Sequence, residues 1–135
     1  MVETPMVNIG NEQIKIKFDV QAQLDTSLAL YMMSRGLVKP KFADLIENID
    51  SADEREIAVL ILHGIAGSNR AEGFNVDIGM DYVTKLIEKH QIWVAQNSKS
   101  MQDVKMHWAT LRKEIQNAGY KGMHLDFMVS PTAAI

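Results

Sequence analysis

One stretch, residues 51–67, constrains the fold of this chain more than any other, because it reads as a helix with almost no polar side. Ser51 is placed to cap its start, and Glu54 three residues on can complete a capping box. Gly67 is typical of the residue that ends a helix in a left-handed conformation. A helix that is apolar around nearly its whole circumference is stable only inside a core. The sequence therefore predicts a fold packed around this helix.

The composition fits one globular domain, residues 1–135. Its 135 residues are 47% hydrophobic and 23% charged, close to the averages for folded domains. The formal net charge of -3, without a basic segment, argues against nucleic acid as the primary partner. The absence of cysteine excludes disulfides and thiolate chemistry within this sequence, and no apolar run is long enough to span a membrane. We expect a cytoplasmic protein without membrane association.

Alternation near the N-terminus predicts a β-hairpin over residues 4–19, with strands at 5–9 and 12–19. Gly10-Asn11 is a two-residue turn that tolerates positive φ. The apolar residues that alternate with charged ones, and that we expect to be buried, are Ile14, Ile16 and Phe18.

Helical spacing then predicts a bundle over residues 20–119. Ser100 caps the last of its helices and Gly119 ends it. The five helices are expected at 20–35, 42–49, 51–67, 75–95 and 100–119, the fourth starting near Asn75 or Asp77. The first carries Leu24, Leu28, Tyr31 and Met32 on one face, with Leu30 and Met33 beside it.

The C-terminal residues alternate again, which predicts a short strand over 123–129 followed by a tail, 130–135. The fold class is therefore α+β, a mainly helical single domain with an N-terminal hairpin, about five helices and a short C-terminal strand.

No combination of residues predicts catalysis, a metal or a cofactor. The strongest pair is Asp103 and His107, one helical turn apart, a spacing that metal sites use. A hydrogen-bonded surface pair is the simpler interpretation, because no second paired ligand accompanies it. No acid, base and nucleophile assemble in the pattern. We expect a protein that is not an enzyme and that needs no metal or cofactor.

Two surfaces are candidates for binding a partner. The loop over 68–75 concentrates polar side chains, including an arginine able to hold a phosphate. The last helix carries an apolar stripe only two residues per heptad wide, the width of a helix-to-helix seam. Its members are Met101, Val104, Trp108, Leu111 and Ile115. That stripe packs either against the 75–95 helix of the same chain or across a two-fold axis, and we predict a homo-oligomer. The candidate residues are Ser68, Asn69, Arg70 and Asn75 in the loop, and Met101, Trp108 and Leu111 in the stripe.

Residues 7–30, VNIGNEQIKIKFDVQAQLDTSLAL, resemble the opening of the tail assembly chaperones of tailed phages, which begin with a hairpin around a glycine turn, a Lys/aromatic strand and a helix. The step from Ile49 into the apolar helix is compatible with the small helical bundle of that family. The acidic residue usual in the first helix is present only as Asp25, and the 123–129 strand has no counterpart. The resemblance implies no catalytic residues, and transient binding of the tape measure protein and tail tube subunits.

The sequence thus predicts a non-enzymatic protein-binding factor, most concretely a tail assembly chaperone. The alternative is a small phage or bacterial inhibitor or ligand-sequestering protein that acts on a host enzyme or a nucleotide signal through the 68–75 loop. A surplus of methionine favours adaptable apolar surfaces for a partner. The methionines on helices that can present such a surface are Met32, Met33, Met101 and Met106.

Overall fold

An antiparallel hairpin and five α-helices make up the fold in the computed structural model, which describes residues 4–37 and 40–124. The architecture confirms the predicted α+β class, mainly helical with an N-terminal hairpin. The predicted strand at 123–129 does not begin at its first two residues, because Met123 and His124 form the turn that ends the last helix. The rest of that strand and the tail at 130–135 lie outside the described residues. The elements are β1 Met6–Ile9, β2 Glu12–Lys15, α1 Val20–Met33, α2 Phe42–Glu47, α3 Glu54–Ser68, α4 Val76–Gln96 and α5 Met101–Gly122, with 3-10 turns at Ile49–Ser51 and Arg70–Glu72.

The hairpin follows from its turn. Gly10 and Asn11 have φ of +58° and +69°, as a two-residue type I′ turn requires. The predicted second strand is too long, because pairing with β1 stops at Lys15. Beyond that point the chain turns to α3, and the Lys17 N–H donates to the Gly64 carbonyl at 2.9 Å. The paired residues are Met6 with Lys15, Val7 with Ile14, Asn8 with Gln13 and Ile9 with Glu12.

The core lies between the inner face of the hairpin, α3 and α5, and α3 runs through its middle as predicted. Nearly every residue of α3 from Ile57 to Gly67 is buried. The alternating hairpin residues also contribute, with Ile16 and Phe18 fully enclosed and Ile14 packed at the edge. The largest enclosed side chains are Phe18, Ile9, Ile16, Ile46, Ile49, Leu60, Ile61, Leu86, Leu111 and Ile115.

The start of α3 differs from the prediction. Asp53, not Ser51, is the N-cap residue: its carboxylate accepts from the Glu56 N–H, and the Glu56 carboxylate accepts from the Asp53 N–H, both at 2.9 Å. Ser51 belongs instead to the 3-10 turn that follows α2. Both residues have a glutamate three positions on, so the capping pattern fits either start.

Two glycines that were predicted to end helices lie inside them. Gly67 is buried in α3, and a Cβ there would overlap the Lys17 carbonyl oxygen. Gly119 is buried in α5, where a Cβ would lie 2.6 Å from the Ile46 side chain. The helix continues to Gly122, which sits against the backbone of Phe18. These glycines serve close approach between elements, not the left-handed helix end that was predicted.

The first helix packs on the core through a side other than its predicted apolar face. Ala22, Thr26 and Leu30 are buried, and the Thr26 hydroxyl donates to the Ala22 carbonyl at 2.7 Å, which satisfies the buried oxygen. Small residues on this side let α1 lie against α3. The residues of the predicted apolar face are exposed: Leu24, Leu28, Tyr31 and Met32.

The last helix, α5, crosses β1, α2 and the 3-10 turn at Ile49–Ser51, and contacts α4 less. Its predicted cap is confirmed, because the Ser100 hydroxyl accepts from the Asp103 N–H at 3.2 Å. Leu111 and Ile115 are buried in the core. The predicted antiparallel seam with α4 is therefore a minor contact near the connection between the two helices.

Candidate protein-binding groove

A groove of about 620 Å³ opens between the first turn of α3, the middle of α4 and the N-terminal half of α5. Sites of this size hold drug-sized ligands or single anchoring side chains of a partner. The floor is apolar, and three different helices supply it. Its residues are Ile57, Ile87, Val104, Trp108 and Ala109.

Charged residues of both signs line the groove. Asp50 and Glu54 come from the segment that leads into α3, whereas Lys105 and Arg112 come from α5. Gln91 Nε2 donates to Glu54 Oε1 at 3.1 Å and holds that carboxylate in place. The arrangement complements a ligand that carries an apolar centre with charges of both signs beside it.

Arg112 is the groove residue with unused hydrogen-bonding capacity. Its Nη2 donates to the Ala52 carbonyl at 3.0 Å, which orients the guanidinium. Its buried Nε has no hydrogen-bond partner in the part of the chain that is described. A buried N–H without an acceptor is costly. Arg112 therefore lines the groove with a guanidinium that the fold holds in place through Ala52.

Trp108 forms one wall of the groove and is held by neighbouring rings. Its ring meets the His90 ring edge-on, with centroids 4.7 Å apart and an interplanar angle of 75°. Trp93 stacks on His90 at 5.8 Å and meets His107 edge-on at 4.7 Å. His107 Nε2 lies 3.1 Å from the Asn97 carbonyl, at the connection between α4 and α5. Edge-to-face contacts of this kind fix ring orientation.

His90 fastens the hairpin turn to this wall. The Gly10 N–H donates to His90 Nδ1 at 2.9 Å, so the neutral ring carries its proton on Nε2. Burial lowers the pKa of His90, the neighbouring His107 lowers it further, and Glu114 raises it. Burial is the largest of these effects, so His90 is neutral at pH 7.

The structure places the three candidate residues of the stripe in different environments. Trp108 lies in the groove, half-buried. Met101 is 68% exposed and lies beside the groove with Met106, which is 56% exposed. Leu111 is enclosed in the core at 2% exposure and does not reach the surface. The stripe thus runs from solvent into the core along a single helix.

Arg70, the cation of the predicted 68–75 site, is already paired with a carboxylate. Its Nε and Nη2 donate to the two oxygens of Asp19 at 2.8 and 2.9 Å. These hydrogen bonds lower the pKa of Asp19 and raise that of Arg70. Asp19 also caps α1 by accepting from the Ala22 N–H at 2.8 Å. The pair ties the end of α3 to the start of α1.

The other polar residues of this loop also bond to the fold. The Ser68 hydroxyl is 3.0 Å from the Lys15 carbonyl and 2.9 Å from the Ile65 carbonyl, and Asn69 Nδ2 donates to the same Ile65 oxygen. Asn75 Oδ1 accepts from the Asp77 N–H at 2.9 Å at the start of α4. These contacts give the loop a structural role.

Asp103 and His107, the pair weighed as metal ligands, take part in backbone contacts. Asp103 Oδ2 accepts from the Lys99 N–H at 2.8 Å, and His107 contacts Asn97 as described above. Within residues 4–37 and 40–124 no group of three or more His, Cys, Asp or Glu is placed to hold a metal ion. No helix in that same part of the chain is long and apolar enough to cross a membrane.

Most residues of the groove were not predicted from the sequence. The stripe on α5 led to Trp108, and the cations beside it were visible, but nothing in the sequence places the start of α3 next to α5. That juxtaposition depends on the tertiary path of the 3-10 turn between α2 and α3. The groove residues that were missed are Asp50, Glu54, Ile87 and Ala109.

The chain matches no protein-family model, no curated protein and no solved structure. Its function is therefore inferred from the groove, the exposed apolar surfaces and the resemblance of residues 7–30.

Proposed function

We propose that the protein is a non-enzymatic protein-binding factor whose groove binds one face of an amphipathic helical segment of a partner protein. The observation that carries this proposal is an apolar floor built around Trp108 with acidic and basic residues beside it. Helix-in-groove recognition uses such an arrangement, with one apolar anchor in the pocket and polar residues at its edge.

The chemistry of the groove defines the segment that would fit. A leucine, phenylalanine or methionine of the partner fills the space between Ile57 and Trp108. A basic residue of the partner meets Asp50 and Glu54, and an acidic residue meets Lys105 or Arg112. Beyond the groove, the exposed methionines of α5 extend the apolar surface with side chains that adapt to irregular partners.

We propose further that this partner is the tape measure protein of a tailed phage, with tail tube subunits as a second partner. The protein would then be a tail assembly chaperone that acts in the host cytoplasm without a cofactor. The hairpin, glycine turn and helix of residues 7–30 support this identification through their resemblance to that family.

The test compares wild type with Ala109→Arg and Thr110→Arg. Ala109 lines the groove and is exposed, so an arginine there occupies the binding space; Thr110 is the next residue, exposed and outside the groove. Tagged wild-type chain from phage-infected cells should recover tape measure or tail tube protein, identified by mass spectrometry. Ala109→Arg should weaken that binding by about 2 kcal/mol, roughly thirtyfold in Kd, and Thr110→Arg should not.

Trp108 provides an independent readout. In a Trp93→Phe background it is the sole tryptophan, and its emission should shift to shorter wavelength when a partner segment covers the groove. Recovery of neither phage protein by wild type would remove the tail assembly identification. Equal binding by wild type and Ala109→Arg would remove the groove as the site.

The alternative function, sequestration of a ligand by the 68–75 loop, has no comparable observation in its favour, because Arg70 already serves Asp19. It stays a prediction. A thermal-shift screen with nucleotides, repeated on Arg70→Ala, tests it: stabilisation that is lost in the variant would favour this function.

A further inference from the structure

The outward side of α1 is an apolar surface that nothing in the described chain covers. Val20, Leu24, Leu28 and Met32 recur every fourth residue and are 72%, 61%, 56% and 67% exposed. Residues four apart form one continuous ridge along a helix. Tyr31, 38% exposed, widens this ridge. We call these five residues the α1 ridge.

The α1 ridge lies on a helix that is almost free of charge. Among the fourteen residues of α1 only Asp25 is charged, whereas a helix that faces water ordinarily carries charged residues on that side. Depletion of charge together with Leu, Met and Tyr is the composition of the centre of a protein interface. More than half of the large apolar side chains that the described residues expose lie between positions 20 and 37. Such a concentration indicates a covered surface.

We propose that a second copy of this chain covers the α1 ridge, with the two α1 helices antiparallel across a two-fold axis at Leu28. This placement makes the ridge complementary to itself. Leu28 then meets its own equivalent, and Leu24 meets Met32 of the second copy. Val20 comes opposite Gly36 of the second copy, beside Leu37, which is 87% exposed just beyond α1. An isologous contact of this kind closes at two chains.

The charges near the ridge favour the antiparallel arrangement over a parallel one. In a parallel pair the two Asp25 carboxylates would lie at the same height. With the axis at Leu28, they are six residues apart along the helices, about 9 Å at 1.5 Å per residue. Each Asp25 then lies about one turn from Arg35 of the second copy. The arrangement replaces a repulsion between like charges with an attraction.

This dimer is independent of the proposed groove. The groove is built by α3, α4, α5 and the 3-10 turn at Ile49–Ser51, and α1 contributes no residue to it. A dimer through α1 therefore leaves two grooves open, one on each copy.

The absence of cysteine makes the axis directly testable with single cysteines. Leu28→Cys places two thiols at the proposed axis, within reach of a disulfide. Ile92→Cys, at 58% exposure on α4, is the matched control for the 56% exposed Leu28. Under mild oxidation Leu28→Cys should form a covalent dimer nearly completely, at a rate at least tenfold above that of Ile92→Cys.

Charge placed on the ridge gives the second arm of the test. In light scattering, wild type should have twice the mass of one chain at micromolar concentration. Leu24→Glu/Leu28→Glu should have the mass of one chain, with an unchanged circular dichroism spectrum because both side chains are exposed. Ile92→Glu should remain dimeric. The double variant should still give the Trp108 response of the groove, which separates this proposal from the proposed function.

Two results would overturn the proposal. One is a wild-type chain that is monomeric at all concentrations, with Leu28→Cys open to thiol reagents. The other is a monomer in which Leu28→Cys is shielded from those reagents, because the ridge would then be covered by residues of its own chain.

Discussion

At Gly67 the lack of one methyl group sets the distance between two elements. The carbonyl of Lys17, in the segment between the hairpin and α1, occupies the space that a side chain at Gly67 would need. Asp19, two residues after Lys17, caps α1. A backbone carbonyl cannot rotate aside as a long side chain can. Gly67 therefore determines how closely the segment that follows the hairpin lies against α3.

Gly67→Ala should destabilise the protein by about 1–3 kcal/mol, the usual cost of overfilling a packed site. The sign is informative, since the same change in an exposed helix interior stabilises by up to about 1 kcal/mol. Urea unfolding measures the change in the free energy of unfolding. Thr110→Ala, exposed in α5, is the control and should change stability by no more than about 0.5 kcal/mol. A more stable Gly67→Ala variant would show that the segment that follows the hairpin does not lie this close to α3.

At the scale of elements, the sequence predicts which helices form better than which side of each is covered. Both ends of the hairpin turn, the cap of α5 and the central position of α3 follow from local patterns. The orientation of α1 does not, because a helix with apolar residues on every side has no amphipathic direction to read. The wrong ends predicted at Gly67 and Gly119 have a similar cause: the sequence does not show whether a glycine supplies positive φ or close approach.

The candidate site, too, could be predicted only in part. The α5 stripe, with Trp108, could be found from spacing within one helix. The acidic residues of the groove could not, because Asp50 and Glu54 are brought to α5 by a tertiary contact far along the chain.

The two ends of the α5 stripe should respond differently to truncation. Ile115→Ala removes a fully enclosed side chain and should cost about 2–5 kcal/mol. Met101→Ala removes an exposed one and should change stability by no more than about 0.5 kcal/mol. Chemical denaturation of both variants measures the difference. Equal costs would mean that the N-terminal part of the stripe is also packed in the folded chain.

At the scale of the whole molecule, two buried histidines make stability depend on pH. Burial lowers the pKa of both His63 and His90 below the ordinary value of 6.5. Above that value neither the folded nor the unfolded chain binds the proton. Below it the unfolded chain binds protons that the folded chain resists, so the free energy of unfolding falls as the pH decreases.

The midpoint of thermal unfolding should therefore decrease between pH 7.5 and pH 5. His90→Gln should weaken this dependence, since the amide oxygen of glutamine can still accept from the Gly10 N–H and does not titrate. The double variant with His63→Gln should weaken it further. A midpoint that does not change over this range would contradict neutral, buried histidines.

Gly122, at the end of α5, contacts Phe18 in the segment that follows the hairpin. Gln23 Nε2 also donates to the Gly122 carbonyl at 3.0 Å. On the ribosome, the hairpin is made first and α5 last. At 5–20 residues per second, more than a hundred residues separate them by on the order of ten seconds. During that interval the inner face of β1, with Val7 and Ile9, lacks the helix that covers it in the finished fold. The nascent chain thus exposes an uncovered strand until α5 has been synthesised.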